Sequence, residues 1–471
     1  GGMAFEALSH VGQLDKNLVI VLNDNQMSIS SNTGAISKYL GHLTTTPQYQ
    51  SFRYNVDRFV EKIPFLGKPL TRFIFKFKRG IKSIVFTNNF FSDLGLEYVG
   101  PLNGHHIGDL ITVFERVKKL DRPVVVHVVT QKGRGYGPAE KDPVTFHGVG
   151  PFDTLTGKVG VSNKKTFTQV FSDKIVELGE RDSRVVAITA AMTTGTGLAS
   201  FAEKFPQRFF DVGIAEQHAV TFAGGLARSG IKPVVAIYST FIQRAVDQLI
   251  HDIALQKLPA IFVLDHSGPV SEDGETHQGV FDISLLRPVP TVSLLAPATK
   301  IELEKSLEWA IGENIPVIIR YPKGTCPEEV PEFDTPIEKG RGVLVPNKVG
   351  NSETLFVCTG GIFPEVMEAS HLLSEQKVYT DIYNLLFLKP LDKEYFINLA
   401  SKYHKIVFVE DGIRIGGIGT YLESLLARSL DHKITAVCGF PDRFLPQGNR
   451  SQILEDAHIS PDYLVRKVLS L

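Results

Sequence analysis

Cysteine, tryptophan and methionine are scarce in this 471-residue sequence, which contains three, one and four of them respectively. Cys326, Cys358 and Cys438 lie far apart, are odd in number and lack metal-ligand spacing, which argues against a disulfide scaffold or a zinc site. This use of cysteine favours a reducing compartment. The longest apolar runs, such as 259–264, are far shorter than the ~20 residues of a membrane-spanning helix.

An excess of charge of either sign is also missing, because 50 Lys and Arg residues face 51 Asp and Glu residues. A net charge of −1 gives no electrostatic case for nucleic acid or a membrane surface as the main partner. An apolar fraction of 43% with 31 phenylalanines excludes an intrinsically disordered chain. At roughly 100–200 residues per domain, the length predicts two to four domains.

The sequence shows no leader ahead of its first helix. Residues 1–8 already have the pattern of an amphipathic helix, with no capping residue or basic segment before it. We interpret the chain as a fragment whose upstream residues are missing. The absence of a targeting peptide is therefore uninformative.

Short buried-strand runs alternate with helical patterns along the chain, as is typical of parallel α/β sheets. The segment 31–100 departs from this rhythm and is predicted to be a helical excursion, whereas 241–256 is predicted as one helix. Turn-rich residues 150–165 and Pro-, Glu- and Gly-rich residues 330–352 indicate linkers. The predicted fold class is α/β, with three doubly wound domains of which the first is incomplete: 1–155, 160–330 and 350–471.

Polar side chains follow several predicted strands, at the sheet edge where open α/β folds bind ligands. The segment 23–25 is either a polar turn or a site for a hard cation. Glu216, in the first turn of a helix, is either an acid–base group or a glutamate favoured by the helix dipole. Arg320 is either a phosphate anchor or part of a structural salt bridge.

Three further segments have two interpretations each. Residues 238–244 place polar, aromatic and cationic groups at a strand end, and Asp273 and His277 have the spacing of a weak metal pair. Residues 416–419 resemble a nucleotide loop but lack the full GxGxxG order, so a tight packing turn is favoured. Taken together, these groups predict an active site between two α/β domains for a phosphorylated polar ligand.

The combined motifs resemble the 1-deoxy-D-xylulose-5-phosphate synthases, thiamine-diphosphate enzymes of the transketolase superfamily, over essentially the whole chain. The motifs that carry the resemblance are Gly-Gly-Met-Ala-Phe-Glu-Ala-Leu at 1–8, Leu-Asn-Asp-Asn-Gln-Met-Ser-Ile-Ser at 22–30, Lys-Gly-Arg-Gly-Tyr at 132–136, Glu-Lys-Asp-Pro at 140–143, Phe-His-Gly-Val-Gly-Pro-Phe-Asp at 146–153, Asp-Val-Gly-Ile-Ala-Glu-Gln-His-Ala-Val-Thr-Phe at 211–222, Tyr-Ser-Thr-Phe-Ile-Gln-Arg at 238–244 and Asp-Gly-Glu-Thr-His-Gln-Gly at 273–279. The resemblance implies transketolase-type domains.

The resemblance also implies a reaction, in which pyruvate and D-glyceraldehyde 3-phosphate give 1-deoxy-D-xylulose 5-phosphate and carbon dioxide. This product feeds isoprenoid, thiamine and pyridoxal synthesis. The implied cofactors are thiamine diphosphate and Mg²⁺, and the implied assembly is a homodimer. A cytoplasmic location is expected, with a plastid left open.

The resemblance assigns roles to residues in both halves of the predicted site. Asn25 and the Met27 carbonyl would coordinate Mg²⁺, and Lys132 would contact the diphosphate. Glu216 would hydrogen-bond the aminopyrimidine nitrogen, and Phe241 would stack on that ring. Two histidines, His147 and His277, would move protons near bound pyruvate. The residues that would hold the aldehyde and its phosphate are Tyr238, Arg244, Asp273 and Arg320.

The sequence departs from the family pattern at several positions. His266 stands where the family has an arginine that binds substrate phosphate, and a histidine is a weaker, pH-dependent anion ligand. Asn103 and His106 replace two aspartates, and Thr193 replaces a proline. An aspartate ligand of Mg²⁺ would lie upstream of Gly1, so we expect this chain alone to lack a complete cofactor site and to be inactive.

Two alternatives to an active synthase remain open at this point. One is an impaired or non-catalytic paralogue that keeps the fold, which His266 and the missing metal ligand would explain. The other is a 2-oxoacid dehydrogenase component, which would transfer acyl units to lipoyl groups. The motifs at 238–244 and 273–279 argue against the second alternative.

Overall fold

The structure is a computed structural model that describes residues 2–14, 16–25, 27, 39–40, 89–160, 164–270, 273–430 and 433–471. It divides into two compact units, Gly1–Val161 and Ser162–Leu471. The predicted excursion at 31–100 lies mostly outside the described residues. In the described ranges, no helix has both the length and the apolar character to cross a membrane.

The first unit contains a parallel sheet whose central strand is β3. Four of its first five side chains are valines, and all five are buried, as the unbroken apolar run predicts. The strands stand in the order β1-β3-β2. The elements are β1 (Val19–Asp24), β2 (Glu97–Asn103), β3 (Val124–Val129), α1 (Gly2–Val11), α2 (Phe90–Asp93), α3 (Ile107–Val117) and α4 (Gly137–Lys141).

The second unit contains a seven-stranded sheet in the order β13-β8-β9-β7-β6-β4-β5. Its strands are parallel except β13, which runs antiparallel to β8. Their ranges are β4 (Val185–Thr189), β5 (Phe209–Asp211), β6 (Lys232–Tyr238), β7 (Ile261–Ser267), β8 (Ser293–Leu295), β9 (Val317–Pro322) and β13 (Phe387–Lys389). Apolar side chains of β4, β6, β7 and β9 form one buried core with the helices that cover them.

The helices beside this sheet begin with α5, where Thr166 and Gln169 form a reciprocal capping box. They are α5 (Phe167–Arg181), α6 (Ala199–Lys204), α7 (Glu216–Arg228), α8 (Ser239–Ile242), α9 (Val246–Gln248), α10 (Asp282–Leu286) and α11 (Lys300–Gly312). The prediction of one continuous helix over 241–256 is wrong. The chain passes there through α8, a 3₁₀ turn at Gln243–Ala245, α9 and a π-helical turn at Leu249–Ala254.

A second sheet of the same unit has five strands in the order β10-β12-β11-β14-β15, with β10 antiparallel to β12. Its elements are β10 (Val343–Val345), β11 (Thr354–Thr359), β12 (Thr380–Leu385), β14 (Lys405–Ile413), β15 (Ile434–Phe440), α12 (Phe363–Glu375), α13 (Lys393–Ser401), α14 (Ile418–Ala427), α15 (Arg450–Asp456) and α16 (Pro461–Ser470). The predicted linker 330–352 therefore supplies a strand, because β10 completes the edge of this sheet.

The glycine-rich turn before α14 is closed by a buried carboxylate. The backbone N–H groups of Ile418 and Gly419 donate to Glu410, at 2.8 and 3.3 Å. A Cβ atom on Gly417 would lie 2.3 Å from a Glu410 oxygen, so the turn needs glycine for close approach. Since Glu410 already satisfies these donors, the geometry favours the packing turn over a nucleotide loop.

A second buried carboxyl joins the two sheets of this unit. Oε2 of Glu302, on α11, accepts hydrogen bonds from the Ala298 N–H and from Asn384 Nδ2 on β12, at 2.7 and 2.8 Å. Among the described residues, neither Glu302 Oε1 nor Asn384 Oδ1 has a hydrogen-bond partner. Burial raises the pKa of Glu302 to about 8, so the folded protein holds this carboxyl protonated at neutral pH.

We expect Glu302→Gln to stabilise the protein at pH 8 and to change little at pH 5. The unfolded carboxyl loses its proton near pH 4.5 and the folded one only near pH 8, so the free energy of unfolding falls as pH rises between these two values. Glutamine keeps an acceptor and titrates in neither state. The gain at pH 8 is of the order of 2–4 kcal/mol, since one pH unit is worth about 1.4 kcal/mol, and denaturant unfolding at both pH values measures it.

Glu302→Ala is the matched control, because it removes the acceptor and should destabilise the protein at both pH values. A Glu302→Gln effect of equal size at pH 5 and pH 8 would contradict the raised pKa.

Candidate active site

Four of the predicted site residues form a row of aromatic rings at the carboxyl ends of β6 and β7. The rings of Tyr238 and His266 stack with centroids 3.9 Å apart, and Tyr238 stacks on Phe241 at 5.8 Å. His277 meets Phe241 edge to face at 5.4 Å. Parallel strands bring their carboxyl ends to one edge, which explains why residues up to 39 positions apart meet here. We refer to Tyr238, Phe241, His266 and His277 as the ring cluster.

His266 belongs to β7 rather than to the loop that the sequence predicts after residue 264. Its backbone has φ of +61°, a left-handed conformation that costs a side chain roughly 1–2 kcal/mol. The ring Nδ1 atom donates to Asp265 Oδ1 at 2.8 Å, and Asp265 Oδ2 accepts from the Thr168 hydroxyl at 2.7 Å. Asp265 and His266 are buried. The two hydrogen bonds therefore fix the His266 ring through Nδ1, and Nε2 is the ring nitrogen that a ligand could use.

His277 ends a 3₁₀ turn, and its Nδ1 atom lies 2.9 Å from the Thr276 hydroxyl. Burial lowers the pKa of His277, and the nearby His266 and Lys323 lower it further. The Asp273 carboxylate acts in the opposite direction and raises this pKa, but the net shift is downward. Asp273 Oδ2 accepts from Lys323 Nζ at 2.5 Å. Since Asp273 pairs with a lysine, and no group of three potential metal ligands occurs in the described ranges, the geometry does not favour a metal pair of Asp273 and His277.

Glu216 is the first residue of α7 and is only 2% exposed. Within the described part of the chain, its Oε2 atom has no hydrogen-bond partner, although Arg244 Nε lies 3.4 Å away. A buried carboxyl oxygen without a partner is costly unless a ligand supplies one. The ring nitrogen of an aminopyrimidine fits this position chemically. The structure thus places Arg244 beside Glu216, whereas its predicted contact with substrate stays a prediction.

Arg320, on β9, is 1% exposed and lies between two carboxylates. Its Nε atom donates to Asp282 at 2.8 Å and its Nη1 atom to Asp411 at 2.7 Å. The structural salt bridge that the sequence left open is therefore present. The role of Arg320 toward phosphate stays a prediction.

In the first unit, Lys132 and His147 come together. Lys132 Nζ donates to His147 Nδ1 at 2.8 Å, and burial lowers the pKa of Lys132. Asn25 Oδ1 accepts from the Met27 N–H at 3.0 Å, directly after β1. The predicted metal and diphosphate roles of Asn25, Met27 and Lys132 stay predictions, as does proton transfer by His147.

A buried polar chain supports the end of β1. The His127 Nε2 atom lies 3.2 Å from Asp24 Oδ2, and His127 Nδ1 lies 2.7 Å from the Tyr98 hydroxyl. Burial lowers the pKa of His127, against the effect of Asp24. A neutral His127 ring must donate through Nε2 to the Asp24 carboxylate and accept from the Tyr98 hydroxyl. These bonds orient Asp24, the residue next to Asn25.

The other departures from the family pattern have local partners. Asn103 Oδ1 accepts from the His105 N–H at 3.0 Å, and His106 pairs with Asp109 at 3.0 Å. The Thr193 hydroxyl donates to Asp211 at 2.9 Å.

Sequence reasoning missed the groups that support the predicted residues. Asp265 directly follows the apolar run 259–264, and only the observed extension of β7 to Ser267 makes it an acidic residue in a buried strand, which needs a partner. Asp282 and Asp411 follow no motif that the sequence analysis singled out. Thr168 offers no signal, because a threonine in a helix is usual.

Comparisons with known proteins identify the fold and the family of the chain. Family profiles match residues 163–328 (transketolase, pyrimidine binding domain), 1–130 (1-deoxy-D-xylulose-5-phosphate synthase) and 345–464 (transketolase, C-terminal domain). A solved structure titled as a split-gene transketolase, inactive beta4 tetramer, is 25% identical, with a TM-score of 0.59 over 65% of this chain and 98% of its own. Transketolase from Campylobacter jejuni, at 16% identity, covers all of this chain and 75% of its own with a TM-score of 0.56. The chain has the transketolase-type α/β fold.

Curated relatives are more similar still. The 1-deoxy-D-xylulose-5-phosphate synthase of Treponema pallidum (strain Nichols) is 50% identical over 466 residues, which are 99% of this chain and 74% of the relative. The synthase of Clostridium kluyveri is 42% identical over 475 residues, or 100% of this chain and 75% of the relative. The chain belongs to the 1-deoxy-D-xylulose-5-phosphate synthase family. The domain boundaries predicted above stay a proposal.

Gly195, in the loop after β4, makes room for the ring cluster. A Cβ atom built there would lie 2.0 Å from the Tyr238 hydroxyl oxygen. We expect Gly195→Ala to reduce the free energy of unfolding by about 1–3 kcal/mol through overpacking. Adding Tyr238→Phe should recover at least half of the loss, because the clashing oxygen is gone. Denaturant unfolding of both single variants and the double variant measures this coupling.

Gly225→Ala is the matched control. Gly225 lies inside α7, and no described atom outside its own helix comes within 4 Å of the added Cβ. Alanine should be neutral or stabilise there by up to about 1 kcal/mol. Additive effects of Gly195→Ala and Tyr238→Phe would show that the predicted clash does not occur.

Proposed function

We propose that the protein condenses pyruvate with D-glyceraldehyde 3-phosphate, releasing carbon dioxide and forming 1-deoxy-D-xylulose 5-phosphate. The observation that carries the proposal is the buried Oε2 atom of Glu216, which lies beside Arg244 but has no hydrogen-bond partner within the described ranges, in a chain 50% identical to a named synthase over 99% of its length. The ring cluster contains two histidines, and Asp273 pairs with Lys323. These groups support chemistry on a small polar substrate.

Thiamine diphosphate is the cofactor that this family uses, and Glu216 and Phe241 would hold its aminopyrimidine. When bound, it would supply a nucleophilic carbon that adds to the keto group of pyruvate and a cationic ring that takes up the electron pair released by decarboxylation. In the first unit, Lys132 would contact the diphosphate, and Asn25 with the Met27 carbonyl would hold Mg²⁺. Oxygen ligands at a strand end suit this hard cation.

Glu216 would hold a proton toward the pyrimidine nitrogen through Oε2. Burial at the start of α7 excludes water from this contact and strengthens it. Arg244 lies 3.4 Å from the same oxygen, which helps to keep the carboxylate oriented. The proposed role of Glu216 is therefore to change the reactivity of the cofactor rather than the affinity for it.

His277 would exchange protons with the reacting groups. Its lowered pKa favours the neutral ring, and the contact between Nδ1 and Thr276 leaves Nε2 as the exchanging atom. His147 would act in the same way from the first unit, where Lys132 donates to its Nδ1 atom. Neutral imidazoles near neutral pH are suited to both directions of transfer.

The aldehyde and its phosphate would be held by Tyr238, Arg244, Asp273, Arg320 and His266. Asp265 holds the His266 ring through Nδ1, so Nε2 is the atom that would face the phosphate, and the stacked Tyr238 ring limits the motion of the imidazole.

Homodimer formation follows from the family resemblance. A cytoplasmic location is supported by three cysteines without a disulfide. The proposed reaction is tested with the purified full-length protein, including the residues that the family pattern places upstream of Gly1, with thiamine diphosphate, Mg²⁺ and both substrates, by following carbon dioxide release and the phosphorylated ketose product. Release of carbon dioxide without the ketose product would point to the dehydrogenase alternative, whereas neither product would point to the non-catalytic one.

Glu216→Gln should bind thiamine diphosphate within about threefold of the unaltered affinity but lose at least 10²-fold in kcat. The amide preserves size and burial yet cannot supply the carboxyl's proton chemistry. Calorimetric titration gives the affinity, and product formation gives kcat. Glu203→Gln, an exposed change in the same unit, is the control, and a Glu216→Gln variant with near-normal kcat would refute the role.

His266→Arg should lower KM for D-glyceraldehyde 3-phosphate roughly tenfold at pH 8 and less at pH 6. Arginine carries a permanent charge, whereas an imidazole loses its proton around neutral pH, and a charge-assisted hydrogen bond is worth about 1.5–3 kcal/mol. KM for pyruvate should stay constant. Steady-state kinetics from pH 6 to 8 measure the change.

The exposed residue His251 provides the control variant His251→Arg, which should alter neither KM. An unchanged aldehyde KM and pH profile in His266→Arg would show that His266 does not bind the phosphate.

A further inference from the structure

Asp211, the last residue of β5, accepts three hydrogen bonds at the start of the turn that leads into α7. Its Oδ1 atom accepts from the backbone N–H groups of Ala191 and Gly213, at 2.8 and 2.9 Å. Its Oδ2 atom accepts from the Thr193 hydroxyl at 2.9 Å. Both carboxylate oxygens are engaged, so this side chain joins the loop after β4 to the segment that carries Glu216.

Only four residues separate Asp211 from Glu216, and two tight turns fix their path. The first turn is closed by the bond from the Gly213 N–H to the Asp211 side chain, and Gly213 has φ of +72° there. The second is closed by the Ala215 N–H, which donates to the Gly213 carbonyl at 2.8 Å. Ala215 is also the N-cap of α7, and an alanine side chain cannot cap a helix. The direction of Glu216 therefore depends on the turn before it.

The loop on the other side of Asp211 has a strained backbone. Ala191 is 1% exposed and has φ of +64°, a left-handed conformation that costs free energy for a residue with a side chain. Such conformations persist where the surrounding contacts determine them, and they are concentrated at functional sites. The N–H of Ala191 donates to one carboxylate oxygen of Asp211, and the Thr193 hydroxyl donates to the other. Two contacts from one short loop thus hold the Asp211 side chain in one orientation.

An aspartate at a strand end can stabilise a turn without any effect on chemistry. The position of Glu216 gives Asp211 a further role, because Glu216 Oε2 has no hydrogen-bond partner in the described part of the chain and would have to meet the aminopyrimidine. A group with this task tolerates little displacement, since an error of about 1 Å can cost roughly 10²-fold in rate. Arg244 Nε lies 3.4 Å from the Glu216 carboxylate, whereas the backbone that carries this carboxylate is held through Asp211.

We propose that Asp211 is a positioning residue for Glu216 and that the Thr193 hydroxyl braces Asp211 in this role. The proposal rests on the proposed function and adds two residues that act on the reaction only through Glu216. Asp211 determines where Glu216 meets the pyrimidine nitrogen. Loss of the Asp211 carboxylate should therefore reduce turnover much more than the affinity for either substrate or for the cofactor.

The experiment compares Asp211→Ala, Asp211→Asn and Glu216→Gln in the full-length protein, including the residues that the family pattern places upstream of Gly1. Asp211→Ala should lower kcat about 10–100-fold, while both KM values and the calorimetric affinity for thiamine diphosphate change less than about threefold. Asp211→Asn should keep kcat within about threefold of the unaltered value, because the amide oxygen still accepts from both backbone N–H groups. The Asp211→Ala, Glu216→Gln double variant should be no slower than Glu216→Gln, since Asp211 acts through Glu216.

Hydrogen exchange of the cofactor-free protein measures the same contacts independently of activity. In Asp211→Ala, peptides that cover residues 189–198 and 210–218 should exchange at least about tenfold faster than in the unaltered protein. In Asp211→Asn they should keep most of their protection.

Thr193→Val is a milder variant in case loss of the Asp211 carboxylate prevents folding. It removes only the bond to Oδ2 and should lower kcat roughly threefold, as expected for one hydrogen bond. Thr193→Ser keeps a hydroxyl at this position and should restore kcat.

Asp252→Ala is the matched control. It removes another pair of an aspartate and a threonine, in which Asp252 Oδ2 accepts from the Thr221 hydroxyl of α7, without touching the turn before Glu216. Both kcat and the exchange of residues 210–218 should stay unchanged.

Two results would overturn the proposal. One is a double variant in which the losses of kcat from Asp211→Ala and Glu216→Gln multiply, because Asp211 would then act independently of Glu216. The other is a lowered Tm of Asp211→Ala with unchanged kcat, which indicates a role in stability alone. If the unaltered protein forms no ketose product, the proposed function fails, and hydrogen exchange still decides whether Asp211 holds the segment that carries Glu216.

Discussion

A positive charge without access to water must be matched by acceptors from the chain, and this requirement at Arg320 ties distant segments of the second unit together. Arg320 lies at the end of β9, Asp282 at the start of α10 and Asp411 within β14. The two sheets of the unit thus meet at one guanidinium. Any change in their relative arrangement would break a buried ion pair, at about 3–5 kcal/mol.

The same principle of support by neighbours recurs around the proposed catalytic groups. Thr168 holds Asp265, and Asp265 holds His266. Tyr98 and His127 hold Asp24 beside the end of β1. In each case a residue with a proposed function stands at a strand end, while buried hydrogen bonds from elsewhere fix its direction. The proposed functional groups lie at the edge of the sheet, and hydrogen bonds from the interior fix their orientation.

Much of the fold could be predicted from the sequence, because parallel strands buried on both faces leave unbroken apolar runs. β4 (Val-Val-Ala-Ile-Thr) and β11 (Thr-Leu-Phe-Val-Cys-Thr) are such runs, and every residue in them is buried. The strand at 343–345 could not be, since three residues carry no periodicity and only pairing with β12 makes them a strand. The prediction of one helix over 241–256 failed for another reason: the apolar pattern of these residues continues through the π-helical turn.

The candidate site was predictable to the same extent. Motifs located the residues at strand ends, and the resemblance supplied roles for them. The partners were not predictable, because Arg320 and Asp411 are 91 positions apart and neither side of the pair has a local signal. Ligand roles follow from short motifs, whereas orientation depends on contacts that form only in the folded chain.

The left-handed backbone at His266 sets two selective pressures against each other. Glycine would relieve the strain at this position, so selection for thermal tolerance alone would remove the side chain. Selection for use of a phosphorylated substrate would retain a side chain that can bear a positive charge. If His266 binds the phosphate as proposed, position 266 should therefore vary between lineages according to how strongly each depends on that contact.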